Sequence, residues 1–225
     1  MFRMATSTVE NYIKQLYTEQ ARTPGQLVQL GKLATALDVV PGTVTTMIRT
    51  LADAGLVHYE PRNGCTLTEA GEKLALHVLR RHRLVELFLV KVLGYDWSEV
   101  HDEAEELEHV VSDKLLERID ILLGRPIADP HGDPIPNAEG ELPHRPMRPL
   151  SECATGDLVQ IERVNNQDPQ FLKMVDEMGL LPGTRHSLSR NDPVAGTLQL
   201  KSQEGQTRVV GTRAAESILV RSTAD

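Results

Sequence analysis

Residues 100–111 read VHDEAEELEHVV, a stretch that combines helical spacing with several side chains able to bind a metal ion. Successive residues of an α-helix are rotated by about 100°, so residues three or four apart share a face. Two imidazoles and two carboxylates therefore fall within an arc of roughly 100°, namely His101, Glu105, Glu108 and His109. Because one rigid element would direct several lone pairs towards a common point, the stretch predicts a divalent-metal site.

A second pair of potential ligands lies upstream. His82 and Glu86 are four residues apart in an apolar-rich segment, so they share a face of another predicted helix. Two such helices facing each other would close a metal site. The alternative is a solvated acidic face, since charge runs are commonly solvated. Residues 96–113 contain eight Asp or Glu and no Lys or Arg, and bound cations would relieve this repulsion.

Composition indicates an ordinary globular chain. The 225 residues, 40% hydrophobic and 25% charged, suit one large domain or two to three small ones. No apolar run approaches the ~18 residues of a membrane span and the N-terminus lacks an apolar signal segment, so we expect a cytoplasmic protein without a membrane partner. Cys65 and Cys153 lack metal-ligand spacing and are expected to be structural thiols. The net charge of −8 argues against a simple basic nucleic-acid binder.

The N-terminal third predicts a helix-turn-helix. Ser7 fits the N-cap of a capping box, which would begin a first helix that ends near residue 19. Apolar residues at helical spacing predict a second helix over about 27–37. A third helix is expected from Pro41, a residue favoured in the first turn, to Gly55, a residue favoured just past the end.

Small hydroxyl side chains and one cation occupy the outward face of the third helix near its start, namely Thr43, Thr45, Thr46 and Arg49. This end of a recognition helix meets base edges and phosphates in the major groove. An ordinary helical hairpin with a polar face is the alternative. The next segment favours DNA binding, because predicted strands 56–60 and 65–67 flank a turn in which Arg62 and Asn63 could reach phosphate or the minor groove. This pattern is typical of a winged helix.

The middle of the chain predicts longer helices and a linker. Thr68 is expected to cap a long helix that ends at Gly94, and its second half is more apolar than one domain needs. That excess indicates a subunit interface. A shorter helix is expected from Ser112 to Gly124, after which recurrent prolines over 125–149 predict a structured turn and a semi-rigid linker.

Short alternating runs beyond the linker predict a small β-rich domain, over 158–161, 186–188, 197–200 and 208–210. One short helix is expected over about 171–178, with Gly179 as its end. About five short strands around one helical turn fit a small barrel.

Five motifs spread over nearly the whole chain carry a family resemblance: TVENYI at 8–13, LTEAG at 67–71, RHRL at 81–84, VHDEA at 100–104 with EHV at 108–110, and GDPIP at 132–136. Together they resemble the diphtheria toxin repressor family of iron- or manganese-dependent transcriptional repressors. The resemblance implies a mainly α fold with small β parts (α+β). It implies a winged helix-turn-helix DNA-binding domain over 1–75, a helical dimerisation and metal-binding domain with the proline-rich linker over 76–148, and an SH3-like small β-barrel over 149–225.

The resemblance also implies the metal ligands. The primary regulatory site would use one amide, two carboxylates and one imidazole, from Asn11, Glu105, Glu108 and His109. The ancillary site would draw on both helices and on the SH3-like domain, with His82, Glu86, His101, Gln170 and Gln167.

Three positions bear on which metal the family resemblance implies. Iron-type relatives have cysteine where Glu105 stands and methionine where Asn11 stands. Manganese-type relatives have glutamate at the first position, usually aspartate at the second, and a further glutamate where Lys14 stands, so this chain holds part of the manganese set. Carboxylate, amide and imidazole donors suit Mn2+ and Fe2+ better than soft ions. We expect Mn2+ as the cofactor, with Fe2+ as the alternative.

The implied function is a repressor that binds a palindromic double-stranded DNA operator as a homodimer when loaded with Mn2+. It would control genes of metal uptake and homeostasis and would act on no small organic substrate. The alternative with the same mechanism is an Fe2+-dependent repressor of iron-uptake genes.

Two interpretations from other classes compete with this one. In a metalloenzyme, Glu106 and His109 would have the spacing of a ferritin-like di-iron pair, but such a site needs that motif twice and it occurs once. No zinc-protease, serine-hydrolase or phosphate-loop motif is present, so we expect no enzyme. The third interpretation is a winged-helix module with an organic effector. The remaining histidines are expected to be structural or surface residues, namely His58, His77, His131, His144 and His186.

Overall fold

The computed structural model describes residues 6–143 and 145–223, so His144 lies outside the described residues. The chain divides into two compact units, the first running to residue 82 and including 136–141, and the second comprising 83–135 and the chain from 142 onwards. Within the described residues, no helix combines the length and the apolar character that crossing a membrane requires.

The first unit begins with helices, continues through a hairpin and ends in the first half of a long helix. Its elements are α1 (Ser7–Arg22), α2 (Leu30–Ala36), α3 (Pro41–Asp53), β1 (Val57–Glu60), β2 (Gly64–Leu67) and α4 (Glu69–Leu93), which crosses the boundary at residue 82. The apolar residues that recur at helical spacing form its core, with Ile13, Leu16, Leu33, Ile48 and Leu51 fully buried. The helix-turn-helix and the following hairpin predicted from the sequence are therefore confirmed.

The start of α1 differs from the prediction. Thr6, rather than Ser7, is the N-cap, and its hydroxyl accepts a hydrogen bond from the N–H of Val9 at 3.4 Å. Ser7 is already helical, so the predicted capping box is one residue out of register. Such a shift is within the usual uncertainty of helix ends.

The hairpin of β1 and β2 packs closely against the segment before α2. Val28 forms a bridge with Cys65, and a Cβ at Gly64 would lie 2.6 Å from the carbonyl oxygen of Val28. Gly64 also has a φ of +133°, so glycine is needed for both its backbone angle and this close approach. Burial raises the pKa of the Cys65 thiol to about 12.

The second unit contains the remaining helices and a larger sheet. Its elements are α5 (Val100–Leu107), α6 (Asp113–Leu122), β3 (Arg148–Pro149), β4 (Leu158–Val164), α7 (Pro169–Glu177), β5 (Arg185–Asp192), β6 (Thr197–Ser202), β7 (Thr207–Gly211), α8 (Thr212–Ala215) and β8 (Ile218–Ser222). Six antiparallel strands have the order β3-β8-β4-β5-β6-β7. The predicted runs correspond to β4, β5, β6 and β7, whereas the sequence pattern missed β8.

Separate apolar clusters support the two parts of the second unit. The end of α4 packs with α6 through Leu84, Leu87, Leu116 and Ile119, and Ile135 from the loop joins them. The sheet and α7 enclose a larger core that includes Val159, Ile161, Leu172, Leu188 and Leu198. A third cluster packs α5 on α4 through Val85, Leu89, Val100 and Ala104.

The clusters of α4 with α6 and with α5 hold these helices and the loop after α6 as the frame of the candidate site.

Candidate functional site

The helix predicted to carry the metal ligands is shorter than its sequence pattern indicates. α5 ends at Leu107, Glu108 is its C-cap with helical backbone angles, and His109 lies in the following turn. The prediction of one continuous helix over 100–111 is therefore wrong, because the chain turns after Glu108. Glu108 keeps a helical position, whereas His109 reaches its neighbours from the turn.

The structure brings three predicted ligands together where α4 meets α5. Nδ1 of His101 lies 3.2 Å from Oε1 of Glu86, and Nε2 of His101 lies 3.5 Å from Oε1 of Glu105. The Glu86 side chain is 1% exposed and the His101 side chain 49% exposed. One imidazole thus bridges a buried carboxylate of α4 and a half-buried carboxylate of α5.

Glu108 is a carboxylate without exposed surface. Its side chain is 0% exposed, and its Oε1 lies 3.6 Å from Nε2 of His109, whose side chain is 15% exposed. A buried carboxylate is costly unless it is paired or binds a metal. Glu108 and His109 are therefore side chains that a cation would suit.

Asn11 carries an unsatisfied polar atom. It lies on α1 in the first unit, and its Oδ1 is buried without a hydrogen-bond partner among the described residues. Buried polar atoms normally have a partner, and binding of an ion is one physical explanation of an exception. Because Asn11 and Glu105 belong to different units, their membership of one ligand set stays a prediction.

His82 and the two glutamines complete the ancillary set implied by the family resemblance. His82 is buried on α4, one turn before Glu86. Gln167 donates a hydrogen bond from Nε2 to Oδ2 of Asp133 at 3.0 Å, which leaves its Oε1 as the possible ligand atom. Gln170 is exposed in the first turn of α7. A ligand role for these three residues stays a prediction.

The loop after α6 holds Asp129 and His131, two ionisable residues that the sequence analysis did not assign to the site. Oδ1 of Asp129 accepts hydrogen bonds from the N–H groups of His131 and Asp133, at 2.8 and 2.9 Å. Burial, together with the nearby carboxylates of Asp133 and Glu86, raises the pKa of Asp129 well above its usual range. The run DPHGD at 129–133, which places three ligand-type residues within five positions, is the sequence signal that could have identified this loop.

Gly132 fixes this loop against the sheet. Its φ is +87°, and a Cβ at this position would overlap the carbonyl oxygen of Glu162 in β4. The N–H of Val164 also donates to the carbonyl oxygen of His131 at 2.8 Å. The loop is therefore an ordered part of the second unit.

The predicted recognition face lies opposite the core side of α3. Thr43, Thr46 and Arg49 are exposed and Thr45 is half-buried, whereas Val44, Ile48 and Leu51 are buried. The hydroxyls of Thr45 and Thr46 donate to the carbonyl oxygens four residues earlier, at 3.0 and 3.1 Å. Each hydroxyl oxygen keeps acceptor capacity, and each methyl group is of the kind that contacts thymine.

The turn between β1 and β2 presents a cation at its tip. Arg62 is exposed and has a φ of +71°, an uncommon angle for a side chain other than glycine. Asn63 is held in place, since its carbonyl oxygen accepts from Nε2 of Gln29 at 2.7 Å and its Nδ2 donates to Oε2 of Glu60 at 3.3 Å. These two hydrogen bonds order the residue that directly follows Arg62 in the turn.

These donors fit a hard or borderline divalent cation. The candidate ligands on α5 and α4 are carboxylates and imidazoles, and both thiols of the chain are buried and protonated, since burial raises the pKa of Cys65 and of Cys153. Oxygen and imidazole donors suit Mn2+ and Fe2+. The buried carboxylate of Glu108 in the second unit is a donor of the type that these ions bind. The buried Oδ1 of Asn11 in the first unit, which has no hydrogen-bond partner among the described residues, is another oxygen donor.

Three family models match successive parts of the chain. Residues 4–65 match the N-terminal DNA-binding domain of the iron-dependent repressors. Residues 68–137 match the metal-binding and dimerisation domain of the same repressors, and residues 148–222 match the FeoA domain.

Individual relatives agree with these models. An HTH-type transcriptional regulator of Methanocaldococcus jannaschii is 37% identical over 120 residues, covering 52% of this chain and 94% of that protein. The diphtheria toxin repressor of Corynebacterium glutamicum is 29% identical over 187 residues, covering 79% of this chain and 81% of that protein. A solved structure of a manganese-dependent transcriptional repressor in complex with manganese is 42% identical, with a TM-score of 0.86, and the match covers 95% of this chain and 99% of that one.

Proposed function

We propose manganese as the effector of this chain, which belongs to the diphtheria toxin repressor family of metal-dependent transcriptional regulators. The chain is a DNA-binding repressor rather than an enzyme, with a winged helix-turn-helix, a helical dimerisation and metal-binding domain and an SH3-like FeoA domain. Its activity depends on Mn2+ or Fe2+. The structural observation that carries the choice of manganese is Glu105, an oxygen donor beside His101 at the position where iron-type relatives have a thiolate.

Solved relatives and coordination chemistry support this choice. The relative that is 42% identical was solved in complex with manganese. Intrinsic affinity favours Fe2+ over Mn2+ at a site of given ligands, so oxygen donors, geometry and metal supply have to provide the selectivity. Lys14 and Asn11 depart from the full manganese set, and they are the reason to keep Fe2+ as the second candidate.

We assign two ligand sets within this proposal. The primary set is Asn11, Glu105, Glu108 and His109, and the ancillary set is His82, Glu86 and His101 with Gln167 and Gln170. A bound divalent cation supplies the positive charge that offsets these carboxylates. Glu108 and Glu105 would hold it through oxygen, and His109 through the imidazole. His101 would take the same part beside Glu86.

The DNA contacts follow from the exposed residues of the first unit. Thr43, Thr45, Thr46 and Arg49 on α3 would meet base edges and phosphates in the major groove, and Arg62 and Asn63 in the wing would reach the backbone. Two such units of a homodimer would read the half-sites of a palindromic operator, about 34 Å apart for one helical turn.

Exposed apolar residues of the second unit support the homodimer. Val92 and Leu93 at the end of α4 and Ile121 and Leu122 at the end of α6 are 47–64% exposed. All four lie within residues 68–137, which match a dimerisation domain. Burial of such residues against a second copy would be favourable at roughly 25 cal/mol per Å².

Regulation requires only that ligand binding favour the DNA-competent state. About a 100-fold preference for that state is worth ~2.7 kcal/mol, enough to convert a mostly inactive population into a mostly active one. We propose that this control acts in the cytoplasm on genes of metal uptake and homeostasis, without a small organic substrate.

Anaerobic fluorescence anisotropy tests the choice of metal. The full chain would be titrated onto a palindromic operator selected from a random DNA pool, at fixed salt because affinity depends steeply on it, across buffered Mn2+ and Fe2+. We expect binding to rise with Mn2+ in the concentration range found in cells. A response to Fe2+ alone would assign the protein to iron, and indifference to both metals would overturn the metal-dependent function.

A further inference from the structure

Glu86 directs its two carboxylate oxygens towards two different histidines of the second unit. Oε1 lies 3.2 Å from Nδ1 of His101, whereas Oε2 lies 3.9 Å from Nδ1 of His131. The side chains of Glu86 and His131 are each 1% exposed. The second pair is therefore closed to solvent, and His131 belongs to neither ligand set assigned above.

The tautomer of His131 follows from its other nitrogen. Nε2 lies 2.8 Å from the carbonyl oxygen of Trp97, and a carbonyl oxygen only accepts, so Nε2 carries the hydrogen. The His131 ring also stacks on the Trp97 ring with centroids 5.4 Å apart, which fixes its orientation. In a neutral imidazole, Nδ1 then presents a lone pair towards the Glu86 carboxylate.

Two electron-rich atoms facing each other in a buried site need a positive charge between them. Nδ1 of His131 has no hydrogen-bond partner among the described residues, and 3.9 Å is too long for a hydrogen bond to Glu86. Ligand atoms lie about 2.0–2.2 Å from a zinc-sized ion, so two ligands on one ion stand about 3–4.3 Å apart. The separation therefore matches two ligands of one cation better than a direct contact.

Asp129 supplies a third ligand to the same point. Ligand atoms of Glu86, Asp129 and His131 lie within 4.8 Å of one another, and all three residues are buried. Oδ1 of Asp129 accepts the N–H groups of His131 and Asp133, so the loop orients this carboxylate beside the imidazole. Two oxygen donors and one imidazole form a donor set suited to Mn2+, Fe2+ or Co2+.

The charged side chains in and around the three proposed ligands include more carboxylates than guanidinium groups. The carboxylates of Glu86, Asp129 and Asp133 face two guanidinium groups, of which Arg163 pairs with Asp133. Nε of Arg83 lies 3.8 Å from Oδ2 of Asp129, beyond hydrogen-bond distance. Arg83 is thus an ion-pair neighbour of Asp129, and of Asp133 at 3.8 Å, without a hydrogen bond to either. Among these named groups the three carboxylates outnumber the two guanidinium groups.

We propose that Glu86, Asp129 and His131 form an additional site for a divalent transition-metal cation in the second unit. The site stands on these three residues and does not depend on the proposed choice of manganese. If His101 and Glu86 also bind a metal ion, as the proposed function assumes, the Glu86 carboxylate would bridge two ions. This last statement rests on the proposed function.

Metal counting on the full chain tests the site. Equilibrium dialysis against Co2+ would compare the wild type with Asp129→Asn, which keeps the oxygen that accepts the two N–H groups but removes the charge. Asp176→Asn is the control, because it makes the same change at an exposed carboxylate of α7 that belongs to neither ligand set. We expect Asp129→Asn to bind one ion fewer per chain and Asp176→Asn to bind the wild-type number.

The same comparison in a Glu105→Ala background separates this site from the proposed primary site. We expect Asp129→Asn to remove one further ion there as well. An unchanged count in Asp129→Asn, or an equal loss in Asp176→Asn, would overturn the assignment.

Imidazole 15N NMR of the wild-type chain provides a test that needs no altered ligand. Zn2+ serves as the diamagnetic probe, and His131→Phe, which keeps an aromatic ring beside Trp97, identifies the His131 signals. We expect Nδ1 of His131 to be unprotonated without metal and to shift on adding Zn2+. A protonated Nδ1 that Zn2+ leaves unchanged would mean that His131 is an imidazolium paired with Glu86, and the proposal would be wrong.

Discussion

Nη2 of Arg81 donates a hydrogen bond of 2.6 Å to Oε1 of Glu10, and the two side chains expose only 6% and 5% of their surface. The pair joins α4 to α1 within the first unit. Glu10 immediately precedes Asn11, and Arg81 immediately precedes His82. This buried ion pair therefore joins the two helices at positions adjacent in sequence to two proposed metal ligands.

We predict that Glu10→Ala destabilises the chain strongly, because it removes the buried carboxylate that accepts a hydrogen bond from Nη2 of Arg81. Breaking a buried pair by removing one partner costs about 3–5 kcal/mol, which urea denaturation followed by far-UV circular dichroism would measure. Lys73→Ala, which breaks the exposed pair with Glu69 one turn away on α4, is the control and should leave the midpoint nearly unchanged. Equal midpoints for the two variants would contradict the assigned role of the buried pair.

A second prediction concerns the metal response. Glu105→Ala should abolish Mn2+-stimulated operator binding, since it removes a carboxylate that lies 3.5 Å from His101. His109→Ala should behave in the same way, and sedimentation should show that both variants remain folded dimers. Glu106→Ala is the matched control, because Glu106 is the next residue of α5 and is exposed. A normal metal response in Glu108→Ala would argue against the primary ligand set.

The wing offers a prediction about DNA affinity. Arg62→Gly should weaken binding by a similar factor for all operator sequences, because a phosphate contact carries no base information. Glycine accepts the φ of +71° without strain, so the variant isolates the loss of charge. Anisotropy at several salt concentrations should give a salt slope smaller by about 1. Arg190→Ala removes an exposed arginine of β5 and is the control, which should keep the wild-type salt slope. If Arg62→Gly also keeps the wild-type salt slope, Arg62 does not contact phosphate.

The β domain should lose stability as the solution becomes acidic. Burial lowers the pKa of His186 below its ordinary value of 6.5, so the folded state favours the neutral imidazole. The unfolded chain then binds more protons, and His186 contributes stability above pH 6.5 that is lost as the pH falls through the lower folded pKa.

His186→Gln should therefore flatten the decline in melting temperature between about pH 7.5 and 5.5, with one proton worth at most about 1.4 kcal/mol per pH unit. Fluorescence of Trp97 is the measurement, since this residue packs against the core of the sheet. Parallel pH profiles for wild type and variant would show that His186 is not the titrating group.

Local signals in the sequence predicted much of the fold. Thr68 and Gly94 correctly bounded α4, because a hydroxyl cap and a glycine with positive φ act on their own helix. β8 was missed, since its place between β3 and β4 depends on pairing with residues far away in the chain. The end of α5 was also missed, because burial of Glu108 depends on tertiary packing rather than on helical period.

The residues of the candidate site likewise divide into those that the sequence could predict and those that it could not. His101 and Glu105 could be predicted to lie together because they are one helical turn apart. Glu86 could be predicted as a ligand because it shares a helix face with His82, four residues earlier. The position of Asp129 and His131 beside Glu86 could not, since it depends on how the proline-rich loop folds back between α6 and the sheet. Gly132, which Glu162 approaches closely, shows how tightly that loop is held.

The two buried thiols have a consequence for the conditions under which this regulator works. With a pKa of about 12, the thiol of Cys65 stays protonated at neutral pH, and only the thiolate reacts readily with peroxide. Burial likewise raises the pKa of Cys153. The proposed ligands are carboxylates, imidazoles and amides, none of which passes through sulfenic acid. The two cysteines therefore offer no reactive thiolate through which peroxide would act on the proposed metal ligands.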